Sequence, residues 1–227
     1  MLFRSAKGVT HSIANGLLDF GNVDNKVDLN IQVLQGNIQD LTQVLDHLIQ
    51  PLSWFPRSLK GPTHGKIKIS GGLEFDKLQI LSKLNGIGWD YGGEKFKTVY
   101  LEGGYDKGKY SLDSFSATKR TGKVSGKISF AADRKLDWDI ESSDFTLNDF
   151  DHLVQLDVPI RGSFYVQSSG EGYTGAIQSI TQLSLTDFSV RGVVKAPTYV
   201  RLETVNGGTW VKGKIMGKQG NIDGYFD

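Results

Sequence analysis

The residues best suited to acid–base or metal chemistry are four histidines, His11, His47, His64 and His152. Two of them repeat. Asp46-His47-Leu48-Ile49-Gln50 returns as Asp151-His152-Leu153-Val154-Gln155, at an offset of 151 − 46 = 105. Neither copy has a second His or a Cys at ligand spacing, so the sequence predicts helix residues that hydrogen-bond near their own strands. An acidic run, Asp137, Asp139, Glu141 and Asp144, holds carboxylates of the kind a calcium site or a glycosidase needs. Alternation sets the first three opposite Leu136, Trp138 and Ile140, the pattern of a solvated strand face. Gly61-Pro62-Thr63-His64-Gly65-Lys66 and Gly104-Tyr105-Asp106-Lys107-Gly108-Lys109 have three residues between their glycines. A phosphate loop needs four, followed by a helix. No nucleophile elbow or His-Glu-x-x-His occurs. The expectation is a non-enzyme with no catalytic residue, no metal site and no cofactor.

The totals narrow the class further. In 227 residues the formal charge is +1, which gives no reason to expect nucleic acid as a partner. Cysteine is absent, which excludes disulfides and thiolate chemistry. The chain has 28 glycines but only 5 prolines, a composition suited to many turns between many strands. No run reaches the roughly 18 to 20 apolar residues of a membrane-spanning helix. Met1-Leu2-Phe3-Arg4-Ser5-Ala6-Lys7 lacks the apolar core of a signal peptide. Two readings remain, a cytosolic protein or a piece of a longer, anchored one, and the repeat favours the second.

That repeat sets the predicted elements. Lys26-Val27-Asp28-Leu29-Asn30-Ile31-Gln32 matches Lys135-Leu136-Asp137-Trp138-Asp139-Ile140-Glu141, offset 135 − 26 = 109, and both alternate like a half-buried strand. Each is followed by a helical stripe: Leu41, Val44, Leu45, Leu48 and Ile49 in one, Leu147, Phe150, Leu153 and Val154 in the other. The helices are expected over 40–50, with Asp40 as N-cap and Pro51 as stop, and over 147–155, with Pro159 beyond. Next come Leu59-Lys60-Gly61 and Ile160-Arg161-Gly162, each leading into a strand. A third pair sets Tyr110–Ala117 against Leu183–Val190, and in both a parity break (Leu112 to Phe115, Leu185 to Phe188) predicts a β-bulge. Residues 1–25 read as the end of a preceding repeat or a frayed terminus, 26–134 as a first module and 135–227 as a second. Hairpin turns are expected at Gly92-Gly93, Asp106-Lys107-Gly108, Gly170-Glu171-Gly172 and Asn206-Gly207-Gly208.

The predicted fold class is therefore all-β, largely antiparallel, with two short helices. Two helices give little cover for so much alternating sheet. Either the sheet closes on itself as a sandwich or barrel, or it curls into a groove lined for an apolar ligand. The predicted inward residues are the same for both: Val27, Leu29, Ile31, Ile67, Ile69, Val99, Leu101, Tyr110 and Leu112 in the first half, and Val124, Ile128, Phe130, Leu136, Trp138, Ile140, Phe164, Val166, Leu183 and Leu185 in the second.

This order of alternating strand, short helix with a His-Leu-x-Gln step, Leu/Ile-Lys/Arg-Gly and Gly-rich strands resembles the AsmA-like and TamB group of bacterial envelope proteins. Val124-Ser125-Gly126-Lys127-Ile128-Ser129-Phe130 is similar to their recurring apolar-Gly-polar signature. The resemblance covers most of 26–227. It implies a curled, taco-like β-groove in the periplasm of a Gram-negative bacterium, anchored in the inner membrane by chain outside this sequence. It implies lipid traffic and support of outer-membrane assembly. The implied partners are a phospholipid or other acyl-chain ligand, neighbouring repeats and an outer-membrane protein. A reading from another class is a surface or extracellular β-rich module that binds glycans through Trp89, Trp138 and Trp210, or serves in adhesion.

Overall fold

The computed structural model describes residues 2–7, 10–21, 25–48, 58–72, 74, 76–155, 159–173, 175–217 and 220–226, with the backbone alone for 2–7 and 44–48. Almost all of it is antiparallel β-structure, with two short helices among the described residues. The chain divides into two compact units, Met1–Phe115 and Ser116–Asp227.

The first unit runs β1 (Leu2–Lys7), β2 (Thr10–Asp19), β3 (Lys26–Asn37), α1 (Ile38–Leu48), β4 (Pro62–Gly72), β5 (Leu78–Tyr91), β6 (Glu94–Asp106) and β7 (Lys109–Thr118, its last residues in the second unit). The second runs β8 (Lys123–Ala131), β9 (Lys135–Ser143), β10 (Phe145–Thr146), a 3₁₀ turn (Leu147–Asp149), α2 (Asp151–Val154), β11 (Ile160–Tyr173), β12 (Ala176–Val190), β13 (Val193–Val194), β14 (Thr198–Val205), β15 (Gly208–Ile215) and β16 (Gly220–Phe226). Within each unit the strands pair in sequence order, apart from the two-residue β10 and β13 on the flanks of β11 and β12. Among the described residues neither unit's first strand pairs with its last, so each sheet is open, as a groove is and a closed barrel is not. Residues 1–25 supply two paired strands, and β2 is the one on which β3 lies. The units divide ahead of the repeated run at Lys135, so each includes the strand before its repeat, β2 or β8.

Short turns hold this order. Gly92-Gly93, Lys107-Gly108 and Asn206-Gly207 all carry positive φ, the two-residue hairpin geometry matched to strand twist. The expected turn at 170–172 is not one. β11 continues to Tyr173 and pairs back with β12 from Ala176, so the hairpin lies further along. Gly170 has another use, described below.

The repeat survives in three dimensions with one change of partner. Gly61, immediately before β4, corresponds to Gly162 near the start of β11, and β5 follows β4 as β12 follows β11. β12 therefore corresponds to β5 rather than to β7, the source of the Tyr110–Ala117 run. Gly88 (φ 66°) precedes Trp89, and Asp187 (φ 49°) precedes Phe188. A Cβ on Gly61 would lie 2.8 Å from the Trp89 Cα, and one on Gly162 would lie 3.2 Å from the Phe188 Cα. The predicted bulge is present in β12, where the register against β11 slips by one residue between Ser189 and Thr186. The Tyr110–Ala117 run lies within β7 (Lys109–Thr118).

Each helix start is tied to the beginning of the strand before its repeat, to Thr10 at the start of β2 or to Thr121 just ahead of β8. α1 begins two residues before the expected 40, because Asn37 is the N-cap: its Oδ1 accepts from Gln39 N at 3.0 Å. Asp40 instead accepts from Thr10 Oγ1 at 2.6 Å. The second helix is shorter than the expected 147–155, a 3₁₀ turn and one α-turn. There Asp149 accepts from Thr121 Oγ1 at 2.5 Å, Thr121 N at 3.0 Å, Thr146 N at 2.8 Å and Thr146 Oγ1 at 3.2 Å. The starts align, with Ile38 to Leu147 at 147 − 38 = 109, whereas the Asp-His step lies at 105, so the first helix carries four extra residues. Pro51 and Ile49 lie outside the described residues, as do the side chains of Val44, Leu45, Asp46, His47 and Leu48.

Asp149 is 2% exposed. Burial pushes its carboxyl up, but the hydrogen bonds from Thr121 and Thr146 outweigh it and hold the pKa below the ordinary carboxylate value. Stability from this group is thus full above the unfolded-state pKa of about 3.9 and is lost as pH falls through the lower folded-state value. Asp149→Asn is expected to cost about 1–3 kcal/mol at neutral pH, because it replaces an acceptor of charge-assisted bonds. Urea titrations across pH check this: the deficit should narrow below about pH 4.

Candidate functional site: an apolar sheet face in each unit

Residues directly opposite in an antiparallel pair share a face, so the registers decide which predicted residues come together. In the first unit the rows Leu29–Ile69–Ile80–Tyr105 and Ile31–Ile67–Ser82 run across neighbouring strands. Val27 lies opposite Gly71, Leu101 opposite Leu84, and Val99 opposite Gly86, all on this side. Tyr110 joins it through a ring contact with Tyr105 at 4.9 Å. The Leu112 Cα lies 2.7 Å from where a Cβ on Gly103, the partner of Ser82, would be. In the second unit Ile128–Trp138–Gly170 and Phe130–Leu136–Gly172 form rows. So do Val166–Leu183–Val200 and Phe164–Leu185. Ile140 lies opposite Gly126, and Val124 opposite Ser142. Every predicted inward residue falls on the apolar face of its own unit.

Accessibility separates the two faces. In the first unit Val27, Ile67, Ile69, Val99, Ile80 and Tyr105 are buried, which is core packing. Leu29, Ile31, Leu101, Tyr110 and Leu112 are half-buried. In the second unit none of the predicted lining is fully buried. Val124, Ile128, Phe130, Leu136, Trp138, Ile140, Phe164, Val166, Leu183 and Leu185 are all half-buried. The faces therefore differ in degree: four of the predicted lining residues in the first unit are fully buried and none in the second.

Polar atoms on the second face are turned toward each other. Trp138 Nε1 donates to Ser168 Oγ at 2.9 Å, and Ser168 shares a 2.8 Å hydrogen bond with Thr181. Ser142 Oγ, on a 4% exposed residue, accepts from Val166 N at 2.7 Å, and Thr204 pairs with Thr209 at 3.1 Å. With their hydroxyls engaged, these residues add little polarity to the surface. The indole of Trp138 lies across Gly170, where an added Cβ would come within 2.6 Å of its ring. In the first unit Trp89 fills a comparable slot over Gly61 and Gly86 and donates to Pro62 O at 2.8 Å.

The other sheet faces are polar, and the open depressions lie on them. One of about 480 Å³ in the first unit is lined by Gln32, Lys66, Lys83, Glu102 and Asp113 among others. There Tyr100 hydrogen-bonds Glu102, which lowers that carboxyl's pKa and, with Glu102 itself, raises that of Lys83. Asp137, Asp139 and Glu141 lie on the polar face of the second unit, as alternation predicted. Among the described residues no group of His, Cys, Asp or Glu is arranged to hold a metal. In the second Asp-His step, Asp151 lies 3.5 Å from Arg120 and 4.0 Å from Lys119, and His152 is exposed. The two near-miss phosphate loops are strand and hairpin. Of the tryptophans weighed as glycan contacts, Trp89 is 1% exposed, Trp138 belongs to the apolar face, and Trp210 alone is an open surface residue. The tethers Thr10–Asp40 and Thr121–Asp149 had no sequence signal, since their partners are 30 and 28 residues apart.

These features define a class by architecture: an open antiparallel β-protein with one apolar face per unit. In comparisons with known proteins, no family model, no curated sequence and no solved structure matches the chain.

The slot over Gly170 is testable. Gly170→Ala should displace the Trp138 indole, cost about 1–3 kcal/mol in a denaturant titration, and alter the near-ultraviolet tryptophan dichroism. Gly224→Ala, whose added Cβ would meet only Phe226 at 3.5 Å and beyond, should leave both close to wild type.

Proposed function

We propose that this chain is a non-enzymatic segment of a periplasmic bridge-like protein. Its apolar β-face carries lipid acyl chains between inner and outer membranes, in support of outer-membrane assembly. One observation carries the reading: none of the second unit's apolar lining, from Phe130 and Leu136 through Trp138 and Ile140 to Val166 and Leu183, is fully buried, whereas Val27, Ile67, Ile69 and Val99 of the first unit's are. The resemblance to the AsmA-like and TamB group supplies the location and the partners.

The physics suits transport better than capture. Each CH₂ taken from water onto an apolar lining gains about 0.8 kcal/mol, whereas transfer from a bilayer to the same lining is nearly neutral. A chain can therefore leave the membrane without being trapped. The hydroxyls of Ser168 and Thr181, occupied with one another, leave a passing chain no strong anchor. The open sheet keeps a headgroup in water at its side.

Native mass spectrometry of gently purified protein, followed by lipid extraction, tests this reading. Wild type should retain phospholipid, and the Ile128→Asp/Trp138→Asp double variant, folded by circular dichroism, should lose it. A folded wild type that holds no lipid and takes up no fluorescent acyl probe would overturn the proposal.

A further inference from the structure

The polar face of the second unit carries a feature that the acyl-chain reading does not use. An open depression of about 750 Å³, within the size range of small-ligand sites, spans β11, β12, β14, β15 and β16. One row across it is Gln182–Arg201–Lys212–Asp223, and the next is Ser184–Tyr199–Lys214–Asn221, with Tyr165 opposite Ser184. The lining holds three cations, Arg201, Lys212 and Lys214, against one carboxylate, Asp223.

Two aspects set this depression apart from a merely solvated face. Arg201 and Lys212 are direct cross-strand partners, and like charges in that position work against sheet stability. Glu203, 3.3 Å from Arg201, and Asp223, the other cross-strand partner of Lys212, offset this only in part, since the Arg201 and Glu203 side chains are about half-exposed and Lys214 adds a third cation. Beside the cations lies an aromatic platform: Trp210 and Tyr225 stack at 4.8 Å, 48% and 49% exposed, with Lys212 Nζ 6.0 Å from the Trp210 ring. Tyr199, 51% exposed, adds a third ring within the depression. Rings for the apolar faces of sugar rings, amides of Gln182 and Asn221 for hydroxyls, and cations at spacings of about 5–7 Å for acidic substituents form one complementary set.

We propose that this depression binds an anionic saccharide, with Arg201, Lys212 and Lys214 holding its carboxylate or phosphate groups and Tyr199 and Trp210 stacking its rings. A membrane surface is the less suited occupant, because the cations are interleaved with the amides of Gln182 and Asn221 and with the carboxylate of Asp223. The site is independent of the apolar face, so it stands or falls separately from lipid carriage.

Calorimetric titration at low salt, using oligogalacturonate, neutral cellopentaose, inorganic phosphate and anionic phosphatidylglycerol vesicles, tests the assignment. Oligogalacturonate should bind clearly more tightly than cellopentaose, and added salt should weaken it. Arg201→Gln/Lys212→Gln should reduce its affinity at least tenfold. Tyr199→Ala should weaken the saccharide while leaving phosphate unchanged. Lys214→Gln alone should give an intermediate loss, which keeps the test valid if the double variant is unstable. Equal binding of cellopentaose, undiminished binding by the folded variants, absence of saccharide binding, or binding to vesicles alone would each overturn the proposal.

Discussion

Register is the constraint on which everything else in this protein depends. Each strand pairs with its sequence neighbours, and a one-residue slip would exchange its apolar and polar sides. The structure permits slips only where they are useful. β3 gains a residue at Leu34-Gln35 relative to both β2 and β4, just before the chain leaves the sheet for α1. β12 gains one at Asp187, after the last residues of its apolar row, and so turns Phe188 toward Gly162. In the pairings of β4 with β5, β5 with β6, β8 with β9 and β14 with β15 the register is continuous, and the apolar rows stay whole.

From the same repeat the two units reach different ends. In the first, Trp89, Tyr105 and Ile80 are packed to a few per cent exposure, and the face serves as a core. In the second, none of the predicted lining is fully buried. Glycines and small hydroxylic residues stand in the apolar rows of both, Gly71, Ser82 and Gly86 in the first and Gly126, Ser168, Gly170 and Thr181 in the second. One arrangement of strands thus yields two apolar faces that differ in how deeply their side chains are packed.

Much of this was legible in the amino-acid sequence because strands have a period of two. The parity of Val27, Leu29 and Ile31, or of Leu136, Trp138 and Ile140, fixed their common face without any tertiary information. Gly92-Gly93 and Asn206-Gly207 announced their turns. The glycines at 170 and 172 announced a turn that is not there, since glycine also serves where an aromatic ring crosses a neighbouring strand. Asp40 and Asn37 are both plausible caps by composition, and only the direction of chain entry from β3 selects Asn37. Tyr110–Ala117 resembles Leu183–Val190 because both must alternate, whereas true equivalence is set by position after the Gly-containing strands β4 and β11. The difference in burial between the two faces could not be read, because periodicity reports which side a residue faces and not what lies over it.

The four residues by which the helices differ ahead of the Asp-His step have a consequence for how such chains change length. Four residues are about one α-turn, so the stripe returns to nearly its original direction after the insertion. The Thr–Asp tether, upstream of the added turn, is the same in both units. Strands tolerate change in steps of two, which restores the faces, while the connecting helix tolerates steps of about a turn. Relatives of this chain should then diverge by gaps of a few fixed sizes, placed by element type, and alignment methods that penalise all gap lengths alike would be blind to their kinship.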